Sequence, residues 1–346
     1  MQLASCIDTT PDWPTVRAQA AGYIATEYAS LDRAGAPITW PVTPYLGATG
    51  ETIDVSTGLT YPLKAERARR NPKVAVAFTH PTGCGLNAPA TFVVQGLATV
   101  RDADLRANSA RYLVQSSNRF PEAYASIPRP MLRAMAFYWV RIWVEITPVR
   151  VLWWRDGLDE APQLWRPPTE VAVRQSDPAP AGRNAGSWNT SRTVPWQRRV
   201  RGALDRLGMP VLTTVDPRGW PLPLPVREAE PTATGFRVRL PAGVAVDAGP
   251  ACLTFHTHGE VFDGQDNVTV VGHCRYALSH GDGVVEFHAE RALNDFTVPT
   301  NPVLRMAHIL NARQKLRRRL DAEASRRGQR VPSFDELGLR SVLCPA

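Results

Sequence analysis

The sequence predicts a mainly β protein in which one β-rich domain occurs twice in tandem. Three observations lead to this fold class. Some short segments, such as 52–56, alternate between apolar and polar residues, which is the pattern of a half-buried strand. Others, such as 74–78, are continuously apolar and predict buried strands. Finally, the second half of the chain repeats residue patterns of the first half in the same order.

The repeat is most evident in a predicted hairpin, where residues 31–42 recur as 215–226. The pairs, each separated by 184 positions, are Asp32 with Asp216, Gly35 with Gly219, Pro37 with Pro221, Pro41 with Pro225 and Val42 with Val226. Phe78 then matches Phe255 after 177 positions, and Gly96 matches Gly272 after 176. Because the order is kept while the separation falls, we infer a duplication whose second copy lost about seven residues after the hairpin.

The first copy is expected to contain the following elements in order. They are a helix at 13–21, a strand at 23–31, a turn at 32–35, a return strand at 38–45, a strand at 52–56, a helix at 64–70, strands at 74–78 and 91–100, helices at 102–114 and 120–135, and a long strand at 138–154. Pro128 and Pro130 should break the helical segment that contains them.

Changes in composition suggest four regions. They are a first domain at 1–160, a linker rich in Pro, Gly, Ser and Asn at 161–195, a second domain at 196–298 and a C-terminal helical segment at 299–346. In the last region Leu304, Ile309 and Leu310 are expected to dock the helix, and its basic second half is expected to be solvated.

The short helix at 64–70 is the most informative feature of the first domain. We expect Thr60 to be its N-cap and Pro62 to lie in its first turn, and Asn71-Pro72 should end it. The free N–H groups of a helix N terminus favour an anion. At the N terminus of this helix, Lys64 and the hydroxyls of Ser56, Thr57 and Thr60 are close in sequence, so the segment predicts a phosphate site. The alternative is an ordinary solvated crossover between two strands.

Composition and charge bound the function. The chain has 346 residues, 44% hydrophobic and 21% charged, with a formal net charge of +8 concentrated at 64–73 and 313–330. Two domains of this size can each bury a core. Zinc-finger spacing and aromatic RNA-binding motifs are missing, so nucleic acid is not favoured as a partner. Anionic small ligands account for the first basic cluster equally well.

Location is predicted from three further features. No apolar run approaches the ~20 residues that span a bilayer, so no membrane span is expected. The first residues do not have the pattern of a signal peptide. The five cysteines are scattered and never form a CxxC pair, which favours reduced thiols in the cytoplasm.

Four segments together resemble a known superfamily. They are ASLDRAGAPITWPV at 29–42, TIDVSTGLTYPLKAERARRNPKVAVAF at 52–78, VVQGLATV at 93–100 and RIWVEITPVRVLWW at 141–154. This string resembles the pyridoxamine 5′-phosphate oxidase-like, flavin-binding split β-barrel superfamily over most of residues 15–154, and more weakly over 196–292. The resemblance implies two six-stranded split β-barrels packed on each other as an intramolecular pseudo-dimer. It also implies FMN, or alternatively the deazaflavin F420, at the interface between the barrels.

The resemblance also assigns residues. It implies that Lys64 holds the cofactor phosphate with help from the hydroxyls of Ser56, Thr57 and Thr60. The backbone of Pro41, Val42 and Thr43 would lie along the flavin ring. Many members have Ser or Thr where this chain has Pro62, so one phosphate-binding hydroxyl is missing.

The implied activity is that of an FMN- or F420-dependent oxidoreductase acting on a small molecule, with no catalytic side chain identified. The alternatives are a split-barrel binding protein without catalysis and a haem-binding split barrel. The chain could act as a monomeric pseudo-dimer or as a homodimer.

Two further groups of residues have competing interpretations. His256 and His258 share one face of a strand, and His273 lies on a probable neighbour, so the three could hold a metal or haem iron. Alternatively, they cap strand ends or line a pocket wall. Four tryptophans could stack on a ring system but are more typical of a core: Trp139, Trp143, Trp153 and Trp154.

Overall fold

A computed structural model of the chain describes residues 11–125, 127–184, 195–260, 264–276, 283–293, 296–297 and 301–338. Within these residues the protein consists of two curled antiparallel sheets with accessory helices, which confirms the predicted mainly β class and its tandem split-barrel form.

The first sheet is formed by strands from the N-terminal half. They are β1 (Thr26–Leu31), β2 (Pro37–Val42), β3 (Pro44–Leu46), β4 (Ile53–Gly58), β5 (Lys73–Phe78), β6 (Thr91–Arg101), β7 (Arg141–Trp154) and β8 (Gln163–Trp165). The order across the sheet is β2-β1-β5-β6-β7-β4-β3, and β8 pairs with the outer part of β7. The sheet therefore has eight strands rather than six, and β8 lies inside the segment predicted to be a linker.

The second sheet repeats the order of the first seven strands of the first sheet. Its strands are β9 (Val211–Val215), β10 (Pro221–Pro225), β11 (Glu228–Pro231), β12 (Gly235–Arg239), β13 (Gly249–Thr257), β14 (Asp266–Tyr276), β15 (Val284–Ala292) and β16 (Phe296–Thr297). The order is β10-β9-β13-β14-β15-β12-β11, with β16 beside β14. Adding eight to each strand number of the first sheet reproduces this order, so the topology confirms the duplication.

Helices lie mainly in the first half and at the end of the described chain. They are α1 (Trp13–Gly22), α2 (Leu63–Arg70), α3 (Leu105–Arg119), α4 (Pro121–Ala125), α5 (Arg129–Ala134), α6 (Ala136–Trp139), α7 (Trp196–Val200), α8 (Ala203–Leu207) and α9 (Pro302–Arg326), followed by a 3-10 turn at Asp335–Leu337. The α6 segment shows that Tyr138 and Trp139, predicted to begin the long strand, are helical. Between β12 and β13 the second copy has no helix equivalent to α2.

The repeated hairpin uses the same turn in both copies. The Oδ1 atom of Asp32 accepts hydrogen bonds from the amides of the residues two and four positions later, and Oδ1 of Asp216 does the same. Gly35 and Gly219 then adopt left-handed backbone conformations, with φ of 80° and 76°. These conformations strongly favour glycine, which explains why both positions keep it.

A second shared feature is a bulge at the corresponding strand pairing of each sheet, β6 with β7 and β14 with β15. The register shifts between Gln95 and Gly96 in β6, and between Val271 and Gly272 in β14. A Cβ on Gly96 would lie 2.6 Å from the carbonyl oxygen of Thr147 on the neighbouring strand. The close backbone approach therefore requires glycine and bends the sheet toward a barrel.

The two barrels pack through an alanine-rich face of the first sheet. Ala29, Ala75 and Ala77 belong to the same buried cluster as Leu212 and Leu253 of the second barrel. Small side chains on this face allow the two sheets to approach closely, so the interface is continuous with the core of the second barrel.

Polar contacts fix the relative position of the barrels. The hydroxyls of Thr39 and Thr213 lie 2.6 Å apart in a buried position. Arg150 donates from Nη2 to Asp216 at 2.6 Å and from Nε to Gln95 at 2.7 Å, and Gln95 in turn donates to the carbonyl of Pro221. Each of these bonds is directional and mostly buried, so together they specify one arrangement of the two barrels.

A cluster of imidazoles closes one edge of the same interface. The Nε2 atom of His256, in the second barrel, lies 2.6 Å from Oε1 of Glu27. Glu27 is fully buried in the first barrel. The ring of His80, also from the first barrel, packs 5.1 Å from His256 and 5.0 Å from His258 between ring centroids. Thr79 donates a further hydrogen bond to Glu27. Burial and the neighbouring histidines lower the pKa of His80 to about 4.

The last helix docks with its C-terminal half. Leu304 and Leu310 are 60% and 56% exposed, so the expected docking through them is wrong; the side chain of Ile309 lies outside the described set. Leu316 and Leu320 are buried instead, and Leu320 packs in the core of the first barrel together with Ala324. In the basic part Arg327 pairs with Asp102 at 2.9 Å and is itself buried, so this end is not simply solvated.

We expect Gly96→Ala to destabilise the protein by about 1–3 kcal/mol, because the added methyl would clash with the backbone carbonyl of Thr147 and with the buried side chain of Ile146. The measurement is the free energy of unfolding from urea titration followed by circular dichroism. Gly58→Ala is the matched control, since the heavy atoms nearest to a Cβ there lie 3.7 Å away, which is an ordinary van der Waals distance. Equal stability of the two variants would contradict the assigned bulge.

We expect stability to fall as the pH drops from 6.5 toward 4. The unfolded chain takes up a proton on His80 at about pH 6.5, whereas the folded protein keeps this imidazole neutral to about pH 4. The charged and titratable groups facing it are His256, His258 and Glu27. Between pH 7 and pH 4, the free energy of unfolding of His80→Gln should fall by about 2 kcal/mol less than that of the wild type. The measurement is the urea midpoint from pH 7 to pH 4, and unchanged slopes in the variant would refute this assignment.

Candidate anion-binding site

The start of α2 is organised by the turn that follows β4. Tyr61 donates its amide to the carbonyl of Gly58, and Thr57 donates its hydroxyl to the carbonyl of Tyr61 at 2.8 Å. The helix begins at Leu63 with Pro62 as its N-cap, and no side chain caps it. The prediction that Thr60 is the N-cap is therefore wrong, because Pro62 occupies the N-cap position directly before the first helical residue. The predicted end at Asn71 is confirmed.

Thr60 nevertheless contributes an unsatisfied hydroxyl at this corner. Its side chain is fully buried, and its Oγ1 has no hydrogen-bond partner within the described chain. A buried hydroxyl without a partner is costly by about 1–3 kcal/mol, so such atoms are uncommon away from ligand sites. A Cβ built on Gly58 would lie 3.7 Å from this atom, 3.7 Å from Nη1 of Arg141 and 3.7 Å from the carbonyl oxygen of Phe137. One space beside Gly58 is thus bordered by two donors and one acceptor.

Lys64 supplies positive charge in the first turn of the helix. Its side chain is half-buried, and Nζ lies 5.6 Å from the ring centroid of Trp40 on β2. Burial, together with the positive charges of Arg67 and Arg141, lowers the pKa of Lys64 to about 7. The nearest acidic residue on the helix is Glu66, which pairs instead with Arg326 of α9. Positive charge is therefore gathered here without a carboxylate to balance it.

Arg141 is the functional candidate that the sequence did not reveal. It begins β7 directly opposite Gly58, because β4 and β7 pair antiparallel in that register. Its Nη2 donates to the hydroxyl of Tyr112 at 2.9 Å, and its guanidinium lies 4.1 Å and 4.9 Å from the ring centroids of Tyr112 and Tyr138. The rings hold the guanidinium in place without neutralising it. Only the strand register, which connects positions 83 residues apart, brings Arg141 to this corner.

The other predicted phosphate ligands differ in their surroundings. Ser56 is half-buried on β4 opposite Trp143, on the same strand face as Gly58. Thr57 points to the other face, where its hydroxyl is already used by the carbonyl of Tyr61. Of the three predicted hydroxyls, Thr60 is the one that the structure leaves buried without a partner.

β2, which was expected to lie along the flavin ring, runs past this corner. Trp40 of β2 lies beside Lys64, and Pro41, Val42 and Thr43 follow it directly as half-buried residues. A rigid strand therefore leads from the positive corner to a partly open segment of backbone between β2 and β3.

The predicted aromatic and histidine alternatives are resolved by burial and distance. Trp139, Trp143, Trp153 and Trp154 are 1%, 0%, 7% and 2% exposed, so they belong to the core. His273 pairs with Glu290, and its ring stacks on that of His288 at a centroid distance of 5.3 Å. It lies opposite Pro250, six residues along the strand from His256, which corresponds to roughly 20 Å. The three predicted metal ligands are thus not brought together. No group of three or more His, Cys, Asp or Glu side chains in the described ranges is arranged to hold a metal ion.

In the part of the chain with described coordinates, every helix is too short or too polar to cross a lipid bilayer.

Comparison with known proteins gives matches in fold only. No protein-family model matches the chain, and no curated protein does. Among solved structures, a putative pyridoxamine 5′-phosphate oxidase from Listeria innocua is 17% identical, with 42% of this chain and 98% of that chain covered and a TM-score of 0.29. A conserved hypothetical protein from Mycobacterium tuberculosis is 18% identical over 44% of this chain and 90% of that chain, with a TM-score of 0.34.

A third similar structure is described as an F420 reductase. It is 15% identical, with 39% of this chain and 94% of that chain covered and a TM-score of 0.30. Each of these matches covers less than half of this chain. The tandem form is defined by the chain's own two sheets, which share one strand order.

Proposed function

We propose that the chain binds FMN, or alternatively F420, through its phosphate group at the corner formed by Gly58, Thr60, Lys64 and Arg141. We further propose that it is an oxidoreductase acting on a small molecule. The observation that carries this proposal is the convergence of a buried hydroxyl that has no partner among the described residues, the ammonium of Lys64 and the guanidinium of Arg141 beside the N terminus of α2, which no side chain of the described residues caps.

The electrostatics of the corner favour an anion over a neutral group. Burial, and then the positive charges of Arg67 and Arg141, disfavour the charged form of Lys64, which lowers its pKa to about 7. A phosphate would reverse this repulsion and would accept hydrogen bonds from both side chains and from Thr60. The free amides at the start of α2 add to the attraction. The carbonyl of Phe137 borders the same space, so the anion would lie on the side away from it.

The remaining parts of the site would position a ring system. Pro41, Val42 and Thr43 offer backbone groups along one edge, and Trp40 shields Lys64 from water at the phosphate end. A bound flavin or deazaflavin supplies the hydride chemistry, and the protein supplies placement and exclusion of water. No acid or base from this chain is required for that placement.

One cofactor is expected per chain rather than two. The second copy has no helix between β12 and β13, and residues 242–247 contain no Lys or Arg. The competing proposal is a binding protein without a cofactor. Two observations favour it: Pro62 replaces a hydroxyl residue, and Thr57 is already bonded within the protein. Equilibrium dialysis with FMN separates the two, because the binding-protein proposal expects no uptake.

We expect Lys64→Met to weaken FMN binding by about 10–100-fold, because one charge-assisted contact to the phosphate is lost. Wild-type affinity should fall as the pH rises above 7, where Lys64 loses its proton, and the variant should lack this fall. Flavin fluorescence titrations at pH 6 to 9 measure both effects. Arg70→Met is the matched control, since it removes an exposed positive charge from the same helix. Riboflavin, which lacks the phosphate, should bind both variants equally.

Gly58→Ala should weaken FMN binding by at least about tenfold while leaving folding stability unchanged. The added methyl would occupy the space between Arg141 and Thr60 but would make only ordinary contacts with the protein itself. FMN titration and a urea unfolding curve on the same sample give the two numbers. A variant that binds FMN as tightly as the wild type would place the phosphate elsewhere.

A further inference from the structure

A separate cavity lies at the opposite end of the first barrel's strands, where the two barrels meet. Its volume is about 360 Å³, which is within the usual range for small-molecule sites. The residues that line it are Ala21, Gly22, Ile24, Gly83, Cys84, Arg119, Phe120, Pro121, Glu122, Ala123 and Glu260. All but Glu260 belong to the first barrel and its helices, so the second barrel closes one side.

The closure is tight on the side of the second barrel. Gly83 has a φ of +66°, and a Cβ on it would lie 2.5 Å from Cδ1 of Ile24 and even closer to the backbone oxygen of Glu260. Only glycine allows this contact. The wall on this side is therefore formed by close contact between the segment after β5 and the segment after β13.

Arg119 is the one cation among the lining residues. It ends α3, and its Nη2 donates to the carbonyl of Tyr23. Its Nε is buried and lacks a partner within the described chain. Burial lowers the pKa of Arg119, and the neighbouring Tyr45 only partly offsets this. Because Arg119 lines the cavity and carries a positive charge, its guanidinium attracts an anionic acceptor there.

The other lining groups narrow the chemistry of the ligand. Ile24, Phe120 and Pro121 form an apolar wall, which suits a hydrocarbon body. Glu122 and Glu260 are exposed and stand at the rim, where they repel a ligand with two or more negative charges. A planar carboxylate matches the fork of a guanidinium, whereas a phosphate dianion would bring excess charge toward both glutamates.

We propose that this cavity binds a small organic molecule through a single carboxylate, which accepts hydrogen bonds from Arg119. The cavity adjoins the end of β2, because Ile24 lies two residues before Thr26 and Thr26 pairs with Val42. If a ring lies along Val42 as proposed above, this ligand is the substrate. That role rests on the proposed function, but binding itself does not, and it can be measured in cofactor-free protein.

Cys84 provides a reporter inside the cavity. Its thiol is free and half-buried, whereas Cys252 and Cys274 are buried elsewhere. The experiment measures alkylation of cofactor-free protein by iodoacetamide, a neutral reagent, with peptide mass spectrometry resolving each cysteine. Benzoate is the probe. We expect it to slow alkylation of Cys84 severalfold at millimolar concentration, as one charge-assisted contact and a small apolar body allow. Inorganic phosphate should give no protection.

Variants identify the group responsible. Arg119→Gln keeps a donor for the carbonyl of Tyr23 but removes the charge, so protection by benzoate should disappear, and Arg119→Lys should restore part of it. Glu122→Gln should strengthen protection because one repelling rim charge is gone. Lys64→Met should leave protection unchanged, which separates this site from the proposed phosphate site. Equal protection in wild type and Arg119→Gln, or none in wild type, would overturn the proposal.

Discussion

The close packing of the first sheet against the second barrel is the constraint on which the rest of the structure depends. The alanines of β1 and β5 allow the approach, and Thr39, Arg150 and Asp216 fix its geometry through buried polar contacts. Since β2 lies in this interface, its direction is set by the partner barrel as much as by its own sheet. The strand then holds Trp40 against Lys64 and runs on to Val42. The proposed phosphate corner meets this strand at Trp40, and the strand ends at Val42, which pairs with the first residue of β1.

The proposed phosphate corner illustrates how a fold can hold unbalanced charge. Arg67 of α2 is mostly buried and donates to Ser30, while Glu66 on the same helix is drawn away by Arg326. Glu66 is two positions from Lys64 on this helix, so it faces away from Lys64 and pairs with the C-terminal helix instead. Bringing cations together in this way destabilises the protein alone and stabilises a complex with an anion, which is the usual compromise at a binding site.

Much of the fold could be predicted from the sequence because the duplication repeats its most constrained residues. Asp32 and Asp216 make the same turn, and Gly96 and Gly272 mark the same bulge, so each copy supports the interpretation of the other. The helix at 64–70 was placed within one residue of its start and ended where expected. Local signals of this kind survive in any tertiary context.

The errors arose where distant residues decide the outcome. Thr60 has the chemistry of an N-cap, yet the turn between Gly58 and Tyr61 puts Pro62 in that place. Arg141 and His80 were not singled out, because only strand register or barrel packing brings them to Gly58 and His256. Leu304 and Leu310 have an apolar helical spacing, but Leu316 and Leu320 are buried instead.

The missing helix of the second copy has a consequence for how this protein can change over time. In a dimer of identical subunits every substitution appears on both sides of the symmetry axis, so a site and its mirror image must be kept or lost together. Once the two copies are covalently joined, one can keep the anion-binding corner while the other gives up its equivalent and serves as a wall. Here the segment between β12 and β13 has no helix equivalent to α2, so the two joined copies already differ at the position of the proposed phosphate corner, and each can accept substitutions independently of the other.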